Sequence, residues 1–243
     1  MDEAGGTPRS QARLNKRAGY PIIHFLPMTK PEIIDRILNP GIVAVIRTDS
    51  SEQLLSVAEA LCEGGVTALE ITMTTPNAIQ VISEVGKKLG SKALMGVGTV
   101  LDAETCRAAI LAGAEFVVTP VFRPDVIRLC NRYGKPIASG AYTPTEALLG
   151  HESGADFIKI FPADQTGPAY IRNLLAPLPM LRIIPTGGVT VETAASFIQA
   201  GCAALAAGSS LASKEILKNN DWKKLAALAA AFVEAVKKAR EAL

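Results

Sequence analysis

Eight short apolar runs, each followed by a helical pattern, constrain this chain more than any other feature. The runs fall at 42–47, 66–72, 93–97, 115–119, 135–138, 155–161, 181–185 and 203–207. Helical periodicity fills the intervals, at about 51–63, 77–89, 103–112, 124–133, 144–150, 168–176 and 191–200. Two more helical patterns close the chain, near 211–217 and 222–241. Gly64-Gly65, Gly113, Gly134, Gly154 and Gly201 stand between a helix and the next strand, where a left-handed cap is expected. Strands joined through helices pair in parallel, and a parallel sheet needs helices to cover it. Eight such units in 243 residues predict the α/β class, as a closed (β/α)8 TIM barrel. The rival is an open doubly wound sheet. It usually has fewer strands and a G-x-G-x-x-G turn after its first strand, which this chain lacks.

The flanks extend this plan. Thr29-Lys30-Pro31-Glu32 reads as a helix start with threonine as cap, and Asn39-Pro40-Gly41 stops that helix after Leu38. Ser50 or Ser51 caps the helix after strand one. The expected organisation is a polar, flexible extension over 1–29 and one barrel domain over 30–243. That domain has an N-terminal helix and extra C-terminal helices. Residues 1–20 carry three Arg and one Lys but no apolar stretch of a secretory signal. An organelle-targeting segment and a disordered cytoplasmic tail are the two readings, and the second is preferred.

Composition narrows the function classes. Net charge is +2 with no basic stripe interleaved with aromatics, so nucleic acid is not expected. No apolar run reaches membrane-spanning length. Cys62, Cys106, Cys130 and Cys202 are widely spaced without a C-x-x-C, and each reads as helical. Buried thiols in a reducing compartment are expected, rather than disulfides or a metal site. The two histidines, His24 in the extension and His151 in an expected surface loop, read as structural or solvated.

The unusual residue is Lys159, inside Phe157-Ile158-Lys159-Ile160-Phe161-Pro162. Lysine is rarely buried, because removing its ammonium from water is costly. Strand alternation puts Phe157, Lys159 and Phe161 on one face. Desolvation of an amine favours its neutral, nucleophilic form, which can make a Schiff base with a carbonyl. A lysine whose head escapes at the strand end is the equally weighted alternative.

Barrel chemistry gathers at the C-terminal strand ends, and polar residues fall there. Arg47 ends strand one; Glu70 and Thr72 lie on one face of strand two. Thr99, Thr119-Pro120, Thr186-Gly187-Gly188 and Gly208-Ser209-Ser210 follow strands three, four, seven and eight. Parity lets Arg47, Glu70 and Lys159 face the interior together, as a site or as a structural ion pair. An amine and a carboxylate suffice for imine chemistry with proton transfer. The glycine pairs after strands seven and eight either make tight turns or hold a phosphate on backbone N–H groups; phosphate is the favoured reading.

These segments resemble the class I 2-keto-3-deoxy-6-phosphogluconate aldolases and 4-hydroxy-2-oxoglutarate aldolases. The resemblance rests on Gly41–Arg47, Gly64–Thr72, Gly96–Thr99, Phe157–Pro162, Pro185–Gly188 and Gly208-Ser209, in order across about residues 30 to 240. It implies Lys159 as the Schiff-base lysine and Glu70 as general acid/base. It implies Thr99 near the pyruvyl carboxylate and Gly187, Gly188, Gly208 and Ser209 around a phosphate. Pro120, Phe161 and Thr186 would line the pocket. It implies a homotrimer that acts on a small keto acid and needs no metal; no other cofactor is expected, and the tail and cysteines make the cytoplasm the expected location. Many members carry an arginine four residues after the glutamate, where this chain has Thr74; others have one matching Arg47. Arg47 is therefore expected to hold the carboxylate. The expected reaction is reversible retro-aldol cleavage of 2-keto-3-deoxy-6-phosphogluconate. The galactonate epimer and 4-hydroxy-2-oxoglutarate are alternative substrates. A barrel isomerase or epimerase, or a non-catalytic scaffold, are readings from other classes.

Overall fold

The computed structural model describes residues 28–47 and 51–243, without the side chains of Ser51 and Glu52. The polar extension up to residue 27, His24 and a cap at Ser50 lie outside the described residues. The chain opens with α1 (Lys30–Leu38). It then runs β1 (Ile42–Ile46), α2 (Ser51–Glu63), β2 (Ala68–Thr72), α3 (Ala78–Leu89), β3 (Leu94–Gly98) and α4 (Ala103–Leu111). β4 (Phe116–Val118), α5 (Pro124–Arg132), β5 (Ile137–Ala141), α6 (Pro144–Glu152), β6 (Phe157–Ile160) and α7 (Gly167–Leu175) follow. β7 (Ile183–Pro185), α8 (Val191–Gln199), β8 (Leu205–Ala207), α9 (Lys214–Asn219) and α10 (Trp222–Glu241) complete it.

All neighbouring strands are parallel, in the order β7-β6-β5-β4-β3-β2-β1-β8. The ends of that order meet. The Ala203 N–H donates to the Ile183 carbonyl at 2.9 Å, and Thr186 bridges in parallel to Ala206. The eight strands thus form the expected barrel.

Alternation sorts the strand residues into two cores. Val43, Ala68, Leu94, Phe116, Val118, Ala138, Phe157, Ile184 and Ala206 fill the interior. Ala44, Ile46, Leu69, Ile71, Val97, Ile158 and Ile183 face outward and pack under the helices. Inside, large residues meet small ones: the Phe116 ring occupies the space a side chain at Gly96 would need. That matching of volumes packs the barrel below its mouth.

Helix α1 closes the other end. Ile33 and Ile37 are fully buried in the interior cluster, and burial of each contributes about 1.5–3 kcal/mol. Thr29 and Glu32 form a capping box, with the Thr29 N–H donating to Glu32 Oε2 at 2.7 Å. Lys30 reaches Asp156 at 2.9 Å and Asn131 at 2.7 Å, which ties α1 to the bottom of β6. From the C-terminal helix, Arg240 donates to the carbonyls of Leu38 and Ala203, both at 2.8 Å. With that end plugged, the strand C-termini are the open end of the barrel.

Four local expectations need correction. Strand β5 runs on to Ala141, because its small residues Ser139-Gly140-Ala141 carry little apolar signal yet pair with Ile158, Lys159 and Ile160. His151 lies in the last turn of α6 rather than in a loop, since the helix continues to Glu152 and stops at Gly154, with φ 93°. Cys202 is not helical; it sits in the turn after α8, where the Cys202 N–H donates to the Phe197 carbonyl at 3.2 Å. The helix expected from about residue 211 starts at Lys214, capped by Ser213, and residues 208–212 form a separate turn.

Candidate active site

Lys159 comes from β6 and Glu70 from β2, almost opposite in strand order, and the barrel brings them together. Lys159 Nζ lies 3.7 Å from Glu70 Oε1. Glu70 is 1% exposed and Lys159 is 6% exposed. Lys159 therefore does not escape to solvent at the strand end. The ammonium or amine also faces the Phe161 ring, 5.5 Å from its centroid. Glu70, Lys159 and Thr186 line one small cavity of about 20 Å³, whose other walls include Val43, Phe116, Phe157, Ile184 and Ala206. Two ionisable groups in an apolar enclosure with one another as partner is an arrangement characteristic of catalytic sites.

The Glu70 carboxylate needs a place to lie. In register, Glu70 pairs with Gly96 and Thr72 with Gly98. A Cβ at Gly98 would fall on the Glu70 carboxylate. The bare backbone of β3 is thus what allows Glu70 to reach the lysine. Likewise, Pro120 crosses over Gly140, which is the register partner of Lys159, and the Gly140 N–H donates to Thr119 Oγ1 at 3.2 Å. Gly98 and Gly140 are absent from the sequence-derived site. The available signal was glycine at inward positions of strands paired to the two charged residues.

Thr99 follows β3 with φ 58°, half-buried. A β-branched residue in the left-handed region is strained by roughly 1–3 kcal/mol, and such strain concentrates at ligand sites. Thr99→Gly is expected to raise stability by about 1 kcal/mol, as strain relief exceeds the entropic penalty of glycine. Thermal unfolding of the variant checks this. A lowered Tm would mean the Thr99 side chain packs favourably enough to offset its backbone.

Arg47 stands apart from the buried pair. It is exposed, one residue past Ile46, whose register partner is Ile71. The expectation that Arg47 joins Glu70 and Lys159 inside the barrel is corrected: it is exposed at the rim, because the strand ends at Ile46, before it. Its neighbours at the rim include the β2 end, where Thr72 and Thr74 hydroxyls lie 2.8 Å apart.

Thr186, Gly187 and Gly188 follow β7; Gly208 and Ser209 follow β8. Gly187 and Gly188 have φ 89° and 71°, which a side chain would strain. Gly187 lies against the Phe161 ring, and Gly188 against Asp164. The Ser210 hydroxyl donates to the Val189 carbonyl at 2.5 Å, joining the two loops into one rim segment. Helix α8 starts just beyond, with Thr190 and Thr193 forming its cap. Among the described residues, no group of three or more His, Cys, Asp or Glu could hold a metal, and no helix is long and apolar enough to cross a membrane.

Comparison with known proteins places this geometry in context. The sequence model of a family described as "KDPG and KHG aldolase" matches residues 33–228. The chain is 37% identical over 199 residues to a 2-dehydro-3-deoxy-6-phosphogalactonate aldolase of Escherichia coli, covering 82% of this chain and 95% of that protein. It is 30% identical over 210 residues to a 2-dehydro-3-deoxy-phosphogluconate aldolase of Haemophilus influenzae, covering 86% and 99%. Among solved structures, KDPG aldolase from Legionella pneumophila, with pyruvate captured as a covalent carbinolamine intermediate, superposes with a TM-score of 0.74. That structure is 25% identical, and the match covers 82% of this chain and 97% of that one.

Proposed function

The chain belongs to the KDPG and KHG aldolase family, and from that premise we propose that it is a class I enzyme cleaving 2-keto-3-deoxy-6-phosphogluconate reversibly to pyruvate and glyceraldehyde 3-phosphate. The observation that carries this reading is the buried pair of Lys159 and Glu70, 3.7 Å apart at the open end of the barrel. Lys159, as the neutral amine, attacks the C2 ketone and the carbinolamine loses water to give an imine. Glu70, through a bridging water, takes the C4 hydroxyl proton as the C3–C4 bond breaks. The imine receives the electron pair as an enamine, and the aldehyde departs. Glu70 then returns a proton to C3, and water hydrolyses the imine to release pyruvate. The carbinolamine captured in the Legionella protein supports this sequence by similarity.

The substrate's two anionic ends are assigned to different strand ends around the mouth. Thr99 and Arg47 receive the C1 carboxylate. Backbone N–H groups around Gly187, Gly188, Gly208 and Ser209 receive the phosphate, helped by the amino end of α8. Pro120 and Phe161 bound the space between. Arg47→Met is expected to raise KM by about 10–100-fold with kcat changed much less, since the ground state and transition state share that carboxylate. An unchanged KM would move the carboxylate to the Thr72–Thr74 hydroxyls instead.

The phosphogalactonate epimer is a second reading, favoured by the 37% identity to an aldolase named for it. Relative kcat/KM on the two epimers and on 4-hydroxy-2-oxoglutarate decides among them. A strong preference for the unphosphorylated acid would remove the phosphate assignment. We also take the assembly to be a homotrimer. An exposed apolar arc supports self-association: Leu101, Val121 and Tyr142, at 48%, 51% and 45% exposure, lie on three successive loops of the rim.

A further inference from the structure

We propose that Cys106 and Cys130 are a peroxide-sensitive dithiol, which closes to a disulfide between α4 and α5 and thereby lowers the activity at the barrel mouth. Their Sγ atoms lie 3.6 Å apart, and both residues are fully buried in the outer core between the helices and the sheet. Cys62, Cys106, Cys130 and Cys202 are all free thiols in this structure. A single buried thiol packs as a small hydrophobe and needs no further reason. Two thiols in contact, from residues 24 apart in the chain, are held where a bond can form between them. A disulfide places its sulfurs about 2.05 Å apart, so a closure of roughly 1.5 Å separates the two states.

The two sulfurs are not equivalent. Cys106 is the fourth residue of α4, near the amino end, where the helix dipole favours a thiolate; Cys130 lies near the carboxyl end of α5. The hydrogen bond from Cys130 holds the Cys106 thiol below its ordinary range, against the effect of burial. Cys130, as the donor and a buried group, is pushed up. Cys106 is therefore the sulfur that meets the oxidant. It attacks one oxygen of hydrogen peroxide, the O–O bond breaks, and Cys106 becomes a sulfenic acid with release of water. The Cys130 sulfur then attacks Cys106: the S–S bond forms, the S–O bond breaks, and the hydroxyl leaves with the Cys130 proton as a second water. Two thiols lose two electrons and two protons, and one peroxide becomes two waters. Hydrogen peroxide is close to water in size, so a brief local parting of α4 and α5 admits it.

The crosslink bears on the mouth because of what these helices follow. Helix α4 follows β3 through residues 99–102, and α5 follows β4 through residues 119–123, which include Pro120. Asp102 caps α4, its carboxylate accepting from the Thr105 N–H at 2.6 Å, one residue before Cys106. The Val100 N–H donates to the Val118 carbonyl at 3.2 Å, so the two connections are already joined at their base. Arg107 donates to the Tyr133 hydroxyl at 3.1 Å and holds the same two segments together beside the thiols. Drawing α4 onto α5 shifts Thr99 and Pro120, and displacements of this size in a site are costly to turnover.

The test treats the intact enzyme with hydrogen peroxide, alkylates the remaining thiols in denaturant and maps the peptides by mass spectrometry. The expected product is a Cys106–Cys130 disulfide, formed while half-buried Cys62 is still a thiol. In parallel, kcat/KM for the keto acid cleaved should fall by about threefold or more and return on reduction with dithiothreitol. In Cys130→Ser the same treatment should leave oxygen on Cys106 without a crosslink; in Cys106→Ser, Cys130 should stay reduced. If a serine variant does not fold, the wild-type peptide map decides by itself. No crosslink between these two residues, oxidation of Cys62 ahead of them, or a crosslink that leaves kcat/KM within about twofold of the reduced enzyme overturns the proposal. Only the activity readout rests on the proposed function. The peptide map is independent of the Schiff base and of the keto acid, so an enzyme inactive before oxidation would bear on that function alone.

Discussion

Lys159→Met is expected to lower kcat/KM for aldol cleavage by about 10⁴-fold or more. Methionine has similar length and an apolar tip, so the packing against Phe157 and Phe161 is kept. On the proposed mechanism, what disappears is the step that makes C2 an electron sink. No other lysine lines the cavity with Glu70, so no side chain there can form the imine in its place. A steady-state assay, with circular dichroism to confirm folding, reads the result. Residual activity above about 1% of wild type would be incompatible with covalent catalysis at this residue.

Glu70→Gln is expected to lower kcat by about 10²–10⁴-fold, with a smaller effect on KM. Glutamine keeps the shape that Gly98 accommodates but cannot carry protons to and from C3 and the C4 hydroxyl. Stability should respond too. Glu70 is 1% exposed and ion-paired only to Lys159 among the described residues. Removing one member of a buried pair strands the other, whereas removing both is close to neutral. The Glu70→Gln and Lys159→Met effects on Tm should therefore be markedly non-additive, with the double variant more stable than the sum predicts. Strict additivity would mean the two side chains do not sense each other in the folded protein.

The barrel was legible because each level of the sequence agrees with the next. Apolar runs of strand length, helical periods between them and the cap at Thr29 all specify the same alternation. Lys159 and Glu70 were legible through strand parity, since each is a charged residue on an inward face. Their 3.7 Å separation was not, because β2 and β6 meet only through barrel closure. The far half of β5 carried too weak an apolar signal, being Ser139-Gly140-Ala141 inside a fully covered sheet. The partners Gly98 and Gly140 escaped for a related reason: what they contribute is the absence of a side chain. Arg47 was placed too deep, because parity says which face a residue takes but not where the strand stops.

The most direct measurement is borohydride reduction in the presence of pyruvate, followed by peptide mass spectrometry. A reduced pyruvyl adduct confined to the peptide carrying Lys159, and lost in Lys159→Met, is the predicted result. An adduct on another lysine, or none at all in an enzyme that still cleaves the keto acid, would contradict the account.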